Sequence, residues 1–424
     1  MLLYIDPGTG SMLFTVILGA LGTLFFAGEA IVLKIKFLLT GGKTEAVANK
    51  IPIVIFSDGK QYWQTFKPIC DEFEKRKIAV EFWTASEDDK ALAENYEYVK
   101  VKFIGRGNKA YAKLNIMNAL ICLATTPGLD VYQWKRSKKC DFYVHVLHAV
   151  NDAWTYRMFG LDHYDAVLFS GEYQIPQLRQ LEQMRNLPAK DLQIAGSVYM
   201  DSLKERLERE CATNVGHSGP LDGSGKKTVL LAPSWGPSAI LSRFGKDIIS
   251  ALMKTSFNII VRPHPQCMVS EKNLIEGLVK EFPDSDRLTW DFSPDNFETL
   301  KNSDIMISDF SGVIYDFTLV FNKPIIYADT SFDPSPYDAW FMNEEMYKFQ
   351  VLPKLGKKLD KIDFENLEDV ISDVINSPLY EKGRAEARDK VWQNRSKAAE
   401  FTVDYIVQKS LEIKDSTKTG KVEK

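Results

Sequence analysis

Two stretches in the second half of the chain carry residue types suited to phosphate chemistry. In the first, the apolar run Phe257-Asn258-Ile259-Ile260-Val261 ends in Arg262-Pro263-His264-Pro265. A guanidinium forks onto phosphate oxygens, and an imidazole donates to phosphate or moves a proton near neutral pH. The flanking prolines restrict the backbone around the histidine, which suits a positioned group. In the second, Ile305-Met306-Ile307 leads into Ser308-Asp309-Phe310-Ser311-Gly312, and Val313, Phe317, Val320 and Phe321 then recur at helical spacing. A strand that feeds a Ser/Gly turn and a helix leaves backbone N–H groups unpaired at the helix start, a ready anion site. Each stretch taken alone also fits a plain capped helix or a rigid loop.

Two further strand ends carry candidates. Asp141–Leu147 reads as a strand that ends in His148. Alternation puts His145 on a face of the sheet, as a hydrogen-bonded sheet histidine, whereas His148 lies past the strand end, where open α/β sheets bind ligands. Pro233-Ser234-Trp235-Gly236 follows the run Thr228–Ala232, so Ser234 is a phosphate or acceptor contact or part of a plain turn. Gly105-Arg106-Gly107 is a weak glycine-rich signal that reads as a tight turn.

The elements that must position these groups alternate. Apolar runs at Ile51–Phe56, Ala79–Trp83, Val99–Phe103, Asp141–Leu147 and Asp165–Ser170 read as strands, with helical spacing at Trp63, Phe66, Ile69, Cys70 and Phe73 between the first two. The pattern restarts at Thr228–Ala232, Phe257–Val261, Ile305–Ser308 and Pro324–Tyr327. Such alternation predicts parallel, doubly wound α/β halves. The stretch Thr213–Lys227, rich in Gly, Ser, Asn and Lys, is the expected boundary between them. Leu203–Arg209 reads as a charged helix before that boundary, and Glu365–Ile375 and Ala385–Val407 as closing helices.

The composition excludes several classes. The 424 residues have a net charge of −4, so no global basic field attracts nucleic acid. Five scattered cysteines form no CxxC pair, which excludes a disulfide scaffold or zinc ribbon and fits a reducing compartment. No His/Cys/Asp cluster has metal-ligand spacing. Met12–Gly28 is 17 residues without a charge, and Lys34, Lys36, Lys43 and Lys50 follow it. This predicts a single spanning helix whose C-terminal side is cytoplasmic. A helix lying in the interface, or a hydrophobic hairpin, is the alternative, given Glu29.

The pair R-P-H-P and S-D-F-S-G-V-I-Y-D, ending at Asp316, resembles the CDP-glycerol glycerophosphotransferase family, which includes the teichoic-acid primases and polymerases. The family's usual forms are R-P-H-P at a strand end and S-D-x-S-S/G-x-x-x-D at a turn and helix. Pro233–Gly236 resembles its Ala-Pro-Thr-Trp turn, Ser170-Gly171-Glu172 its Ser-rich turn, and Gly196 to Asp201 its Gly-x-x-x-x-D segment. The likeness covers most of residues 140–380. It implies two Rossmann-like, doubly wound domains of the GT-B type behind the N-terminal transmembrane helix. The expected division is a membrane anchor over 1–45, an acceptor domain over 46–212, a nucleotide-donor domain over 226–380, a closing helix over 381–413 and a disordered tail over 414–424.

The resemblance further implies transfer of a glycerol-phosphate, or another polyol-phosphate, from a CDP-activated donor to a hydroxyl, with release of CMP. His148 and His264 are then the catalytic residues, with His148 as general base. Arg262 joins His264 on the donor diphosphate, which Ser308, Ser311 and Gly312 cradle. Ser234 and Asp316 are further donor contacts, and Asp309 is either a second cap or a contact. The expected partners are CDP-glycerol or a related CDP-polyol, a lipid-linked acceptor and the membrane, with no cofactor and no metal. The chain has His148-Ala149 where the family has His-Gly, and it lacks the Thr-Pro that often follows. That departure fits a divergent subfamily with another acceptor. The alternatives are a GT-B glycosyltransferase using a nucleotide sugar and an inactive, membrane-tethered binding protein.

Overall fold

The computed structural model describes residues 50–213, 225–328 and 332–418. The first sheet holds β1 (Ile51–Ser57), β2 (Val80–Thr84), β3 (Val99–Phe103), β4 (Ala119–Ala124), β5 (Cys140–Val146), β6 (Ala166–Phe169) and β7 (Asp191–Ile194). Its order is β3-β2-β1-β4-β5-β6-β7, and every pairing is parallel. The second sheet holds β8 (Thr228–Leu231), β9 (Asn258–Val261), β10 (Leu288–Trp290), β11 (Ile305–Ser308), β12 (Ile325–Ala328) and β13 (Gly356–Leu359). Its order is β10-β9-β8-β11-β12-β13, again all parallel. The strand order of each sheet reverses beside its first strand, between β1 and β4 and between β8 and β11. Those reversals open the crevices in which doubly wound folds hold ligands.

The central strands are apolar because both faces are covered. Every residue of β4 and of β11 is buried, as a parallel sheet between helix layers requires. Helix α1 (Val198–Thr213) leads from the first half toward the second, and α2 (Ile240–Met253) follows β8. Helix α3 (Tyr347–Leu355) precedes β13, and α4 (Glu381–Val391) and α5 (Ala398–Lys418) end the described chain. Ala398, Val403 and Ile406 of α5 belong to the same apolar cluster as Ile53, Phe66 and Leu123. The chain therefore crosses to the second sheet and returns to close the first.

The expected closing helix over Ala385–Val407 is in fact two helices, α4 and α5, broken between Trp392 and Lys397. Asn394 and Ser396 there take left-handed φ of 51° and 64°. Asp201 on α1 fixes the break, accepting from the Trp392 indole at 2.8 Å and from the Ser396 and Ala398 amides at 2.8 and 3.0 Å. Helix α5 continues to Lys418, into the tail expected to be disordered. The charged helix expected over Leu203–Arg209 is the middle of the longer α1. The spanning helix expected from Met12 lies outside the described residues, and among the described residues no helix is long and apolar enough to cross a membrane.

Candidate active site

Asp309 organises the turn after β11. It is 1% exposed, and its Oδ1 accepts from the Ser234 amide at 2.8 Å and the Ser311 amide at 3.2 Å. Its Oδ2 accepts from the Ile240 amide at 3.0 Å, the first of α2. One carboxylate thus ties the turns after β8 and β11 together. Burial pushes its pKa up, while these three amides and the nearby Lys348 ammonium oppose the shift. Asp309, expected as a second cap or a contact, here spends its carboxylate on the amides of the two turns. Ser308 is fully buried and its hydroxyl donates to the Ala232 carbonyl at 2.7 Å, which corrects its expected place in the cradle. With the Ser311 amide spent on Asp309, the Ser311 hydroxyl and the Gly312 amide are the groups of this turn left to meet a ligand. The helix that follows is α for Val313–Tyr315 and π for Asp316–Val320, and such π turns recur at functional sites.

Asp316 opens that π turn. Tyr199 of α1 donates to its Oδ2 at 3.3 Å, and burial raises its pKa to about 7 against the pull of that bond. The carboxyl therefore titrates near neutrality. Arg262 does not stand open as a donor clamp. Its guanidinium is paired with Asp291 at the end of β10 and donates to the Ser293 carbonyl at 2.6 Å. Burial alone would raise the Asp291 pKa, but bonds from Ser293, Thr299 and Arg262 bring it below the usual range. Any ligand that meets Arg262 must share it with Asp291. His264 accepts from the Gln266 amide at Nδ1, 3.1 Å away. That bond places the proton of the neutral ring on Nε2. Its pKa is lowered by burial, with Glu271 opposing. The ring lies 6.4 Å from Trp235, which is 40% exposed, and Gly236 takes the φ of +96° that ends this turn.

On the first half, His148 stands just past β5. Its Nδ1 is 2.9 Å from the Thr125 hydroxyl at the end of β4, and its ring packs 4.9 Å from Tyr62, beyond β1. Tyr156 presents a ring edge at 6.5 Å. Three strand ends at the switch point of the sheet thus frame one imidazole. Burial lowers its pKa to about 4, so the ring is neutral at pH 7, the form a base requires. His145 is buried with Nε2 3.0 Å from the Tyr156 hydroxyl, in keeping with a sheet histidine.

Sequence reasoning missed the residues that join the halves. Asn151, three residues past His148, lies against Gly312, where a Cβ would meet its Nδ2 at 3.4 Å. Asp152 bonds the first amides of α3, those of Tyr347 and Lys348. Asp58, after β1, was missed as well. Its Oδ1 has no partner among the described residues, and burial raises its pKa. The position of Asp58 just past a strand end was the available signal. Lys348 gave none.

Two parallel, doubly wound sheets whose strand ends carry these groups, with a last helix that returns to the first sheet, make a two-Rossmann α/β protein of the GT-B class. A family model described as CDP-Glycerol:Poly(glycerophosphate) glycerophosphotransferase matches residues 44–340, and the chain belongs to that family. It is a CDP-glycerol glycerophosphotransferase-like enzyme. Among solved structures it is similar in fold to a variant of the wall teichoic acid polymerase TagF soaked with CDPG, at 14% identity and TM-score 0.56 over 93% of this chain and 98% of that one. A putative UDP-N-acetylglucosamine 2-epimerase from Listeria monocytogenes aligns at 13% identity and TM-score 0.55, over 86% of this chain and 97% of that one. The S. aureus MnaA–UDP structure gives 12%, 0.55, and the same coverage. A search of curated proteins finds no match.

Proposed function

We propose that the chain transfers a glycerol-phosphate, or a similar polyol-phosphate, from a CDP-linked donor to a hydroxyl of a lipid-linked or polymeric acceptor at the cytoplasmic face of a membrane. The observation that carries this is the His148 imidazole, framed by three strand ends on a loop whose Asn151 lies against Gly312. His148 takes the proton of the acceptor hydroxyl. The acceptor oxygen attacks the donor phosphorus that bears glycerol, the anhydride P–O bond breaks, and CMP leaves with the bonding pair. The Gly312 amide, the Ser311 hydroxyl and His264 Nε2 hold the diphosphate, and Arg262 supports it while paired with Asp291. Such donors act by being in place before charge develops. The apolar stretch from Met12 supports a membrane-held acceptor.

The test is CMP release from CDP-glycerol by the detergent-solubilised protein with a membrane-lipid extract, beside His148→Ala and His264→Ala. Release lost in both variants supports the reading. Turnover of a nucleotide sugar in place of CDP-glycerol replaces phosphotransfer with glycosyl transfer. Tight CDP binding without turnover of any donor leaves a binding protein.

A further inference from the structure

The loop that carries His148 also reaches beneath the donor turn. Asp152 is fully buried, and its carboxylate accepts from Gln177 Nε2 at 2.6 Å and from the Tyr347 and Lys348 amides at 2.8 and 3.0 Å. A carboxylate of the first half thus serves the N-terminus of α3 in the second, where the helix dipole favours it. Lys348, on that same first turn, is 7% exposed, and its ammonium donates to the carbonyl of Phe310, the residue before Ser311. Asp152 and Asp309 are the charged groups that face it.

A buried ammonium carries a desolvation penalty, and a neutral donor would hold one carbonyl without it. The position of Asp309 explains the charge. Asp309 builds the turn, yet it sets a negative group directly under a site that must receive a diphosphate. A cation beside it cancels that repulsion, and its bond to Phe310 fixes the peptide that precedes the binding groups.

We propose that Lys348 is a positioning residue for the donor diphosphate. Held from across the crevice by Asp152, it fixes the Phe310 carbonyl and offsets the charge of Asp309 beneath Ser311 and Gly312. This rests on the reading of that turn as the diphosphate site. Burial lowers the Lys348 pKa to about 8 against the pull of Asp152 and Asp309. The neighbouring hydroxyls of Tyr173, Tyr315 and Tyr347 are raised by burial, the last to about 12, and stay neutral through that range.

The experiment uses the full chain in detergent with CDP-glycerol and compares wild type, Lys348→Met and Lys348→Arg. Lys348→Met is expected to raise KM about tenfold or more while kcat changes less, the pattern of lost donor binding. Lys348→Arg is expected to restore most of the loss. In the wild type KM climbs above pH 8, and in the Arg variant that climb is absent. Unchanged KM in a Met variant that melts with the wild type overturns the proposal. If the Met variant does not fold, the Arg variant decides, and a climb above pH 8 that persists in it overturns the proposal. If the wild type releases no CMP, the donor assignment falls, and wild type and Lys348→Met are compared by thermal shift with CDP, UDP, GDP and ADP. A diphosphate that stabilises the wild type but not the variant supports the role of Lys348. Equal stabilisation of both, or of neither, removes it.

Discussion

Burial sets two side chains apart at the scale of single residues. His148 is pushed down to about 4 and Asp316 up to about 7, so they respond to different parts of the pH range. A base must be deprotonated, and His148 satisfies this from about pH 5 upward. Its removal in His148→Ala is expected to lower kcat for CMP release by ~10²–10⁴ at pH 7.5, the usual contribution of a positioned base. A loss under tenfold in a folded variant removes His148 from the chemistry. Asp316 gives a stability test whose sign is fixed. A carboxyl raised above its unfolded value destabilises the fold as pH rises from the unfolded pKa through about 7, because the folded site disfavours the charge that the open chain accepts. Asp316→Asn is therefore expected to raise the melting temperature by roughly 2 °C or more at pH 8 and by less at pH 5. Equal shifts at the two pH values would show that burial does not control this carboxyl. The pairing of Arg262 with Asp291 marks what residue types alone conceal. R-P-H-P correctly flagged a strand end, but the ion pair that occupies the arginine is made with Asp291, just past β10, a strand of three residues too short to leave a pattern.

At the scale of elements, the close approach of α4 to α3 is set by one glycine. A Cβ on Gly383 would come within 2.0 Å of the Lys354 carbonyl oxygen, and backbone cannot yield as a side chain does. Gly383→Ala is expected to cost about 1–3 kcal/mol, as overpacked sites do. Gly277 is the control, since nothing lies within 4 Å of its Cβ position, in the helix Lys272–Glu281. Alanine there is expected to stabilise by about 0.5–1 kcal/mol through helix propensity. Denaturant midpoints for the two variants should move in opposite directions, and a shared direction would contradict the packing. Alternation of strands and helices was legible because β-branched and aromatic runs bounded by turn residues recur, and the turns at Ser234, His264 and Ser311 follow directly from them. Strand β4 was not legible. Its sequence Ala-Leu-Ile-Cys-Leu-Ala is buried throughout, so it lacks the period-2 signal and reads equally as buried helix. Lys348 was beyond reach for a different reason. Its meaning depends on Asp152, 196 residues earlier in the chain, and no local pattern encodes a contact made by folding two halves together.

For the whole molecule, the return of α5 to the first sheet makes the second half a stretch of chain between two parts of the first. Asp201 fastens that return, and Asp152 and Asn151 join the two halves at the crevice. The proposed transfer to a lipid-linked acceptor would need the crevice held near a bilayer, and the apolar stretch from Met12 is the proposed means. Met12–Gly28 carries no charge and basic residues follow it, the pattern on which the proposed cytoplasmic placement of the catalytic part rests. Removing residues 1–45 is therefore expected to shift the protein from the membrane to the soluble fraction of a lysate without loss of CDP-glycerol binding. Transfer to acceptors in native membranes should fall, while transfer to a detergent-dispersed acceptor extract remains. The two assays separate the anchor from the chemistry. A truncated protein that still sediments with membranes and still serves their acceptors would mean that the folded part carries its own membrane contact, and the proposed anchor would have no part in bringing the acceptor to His148.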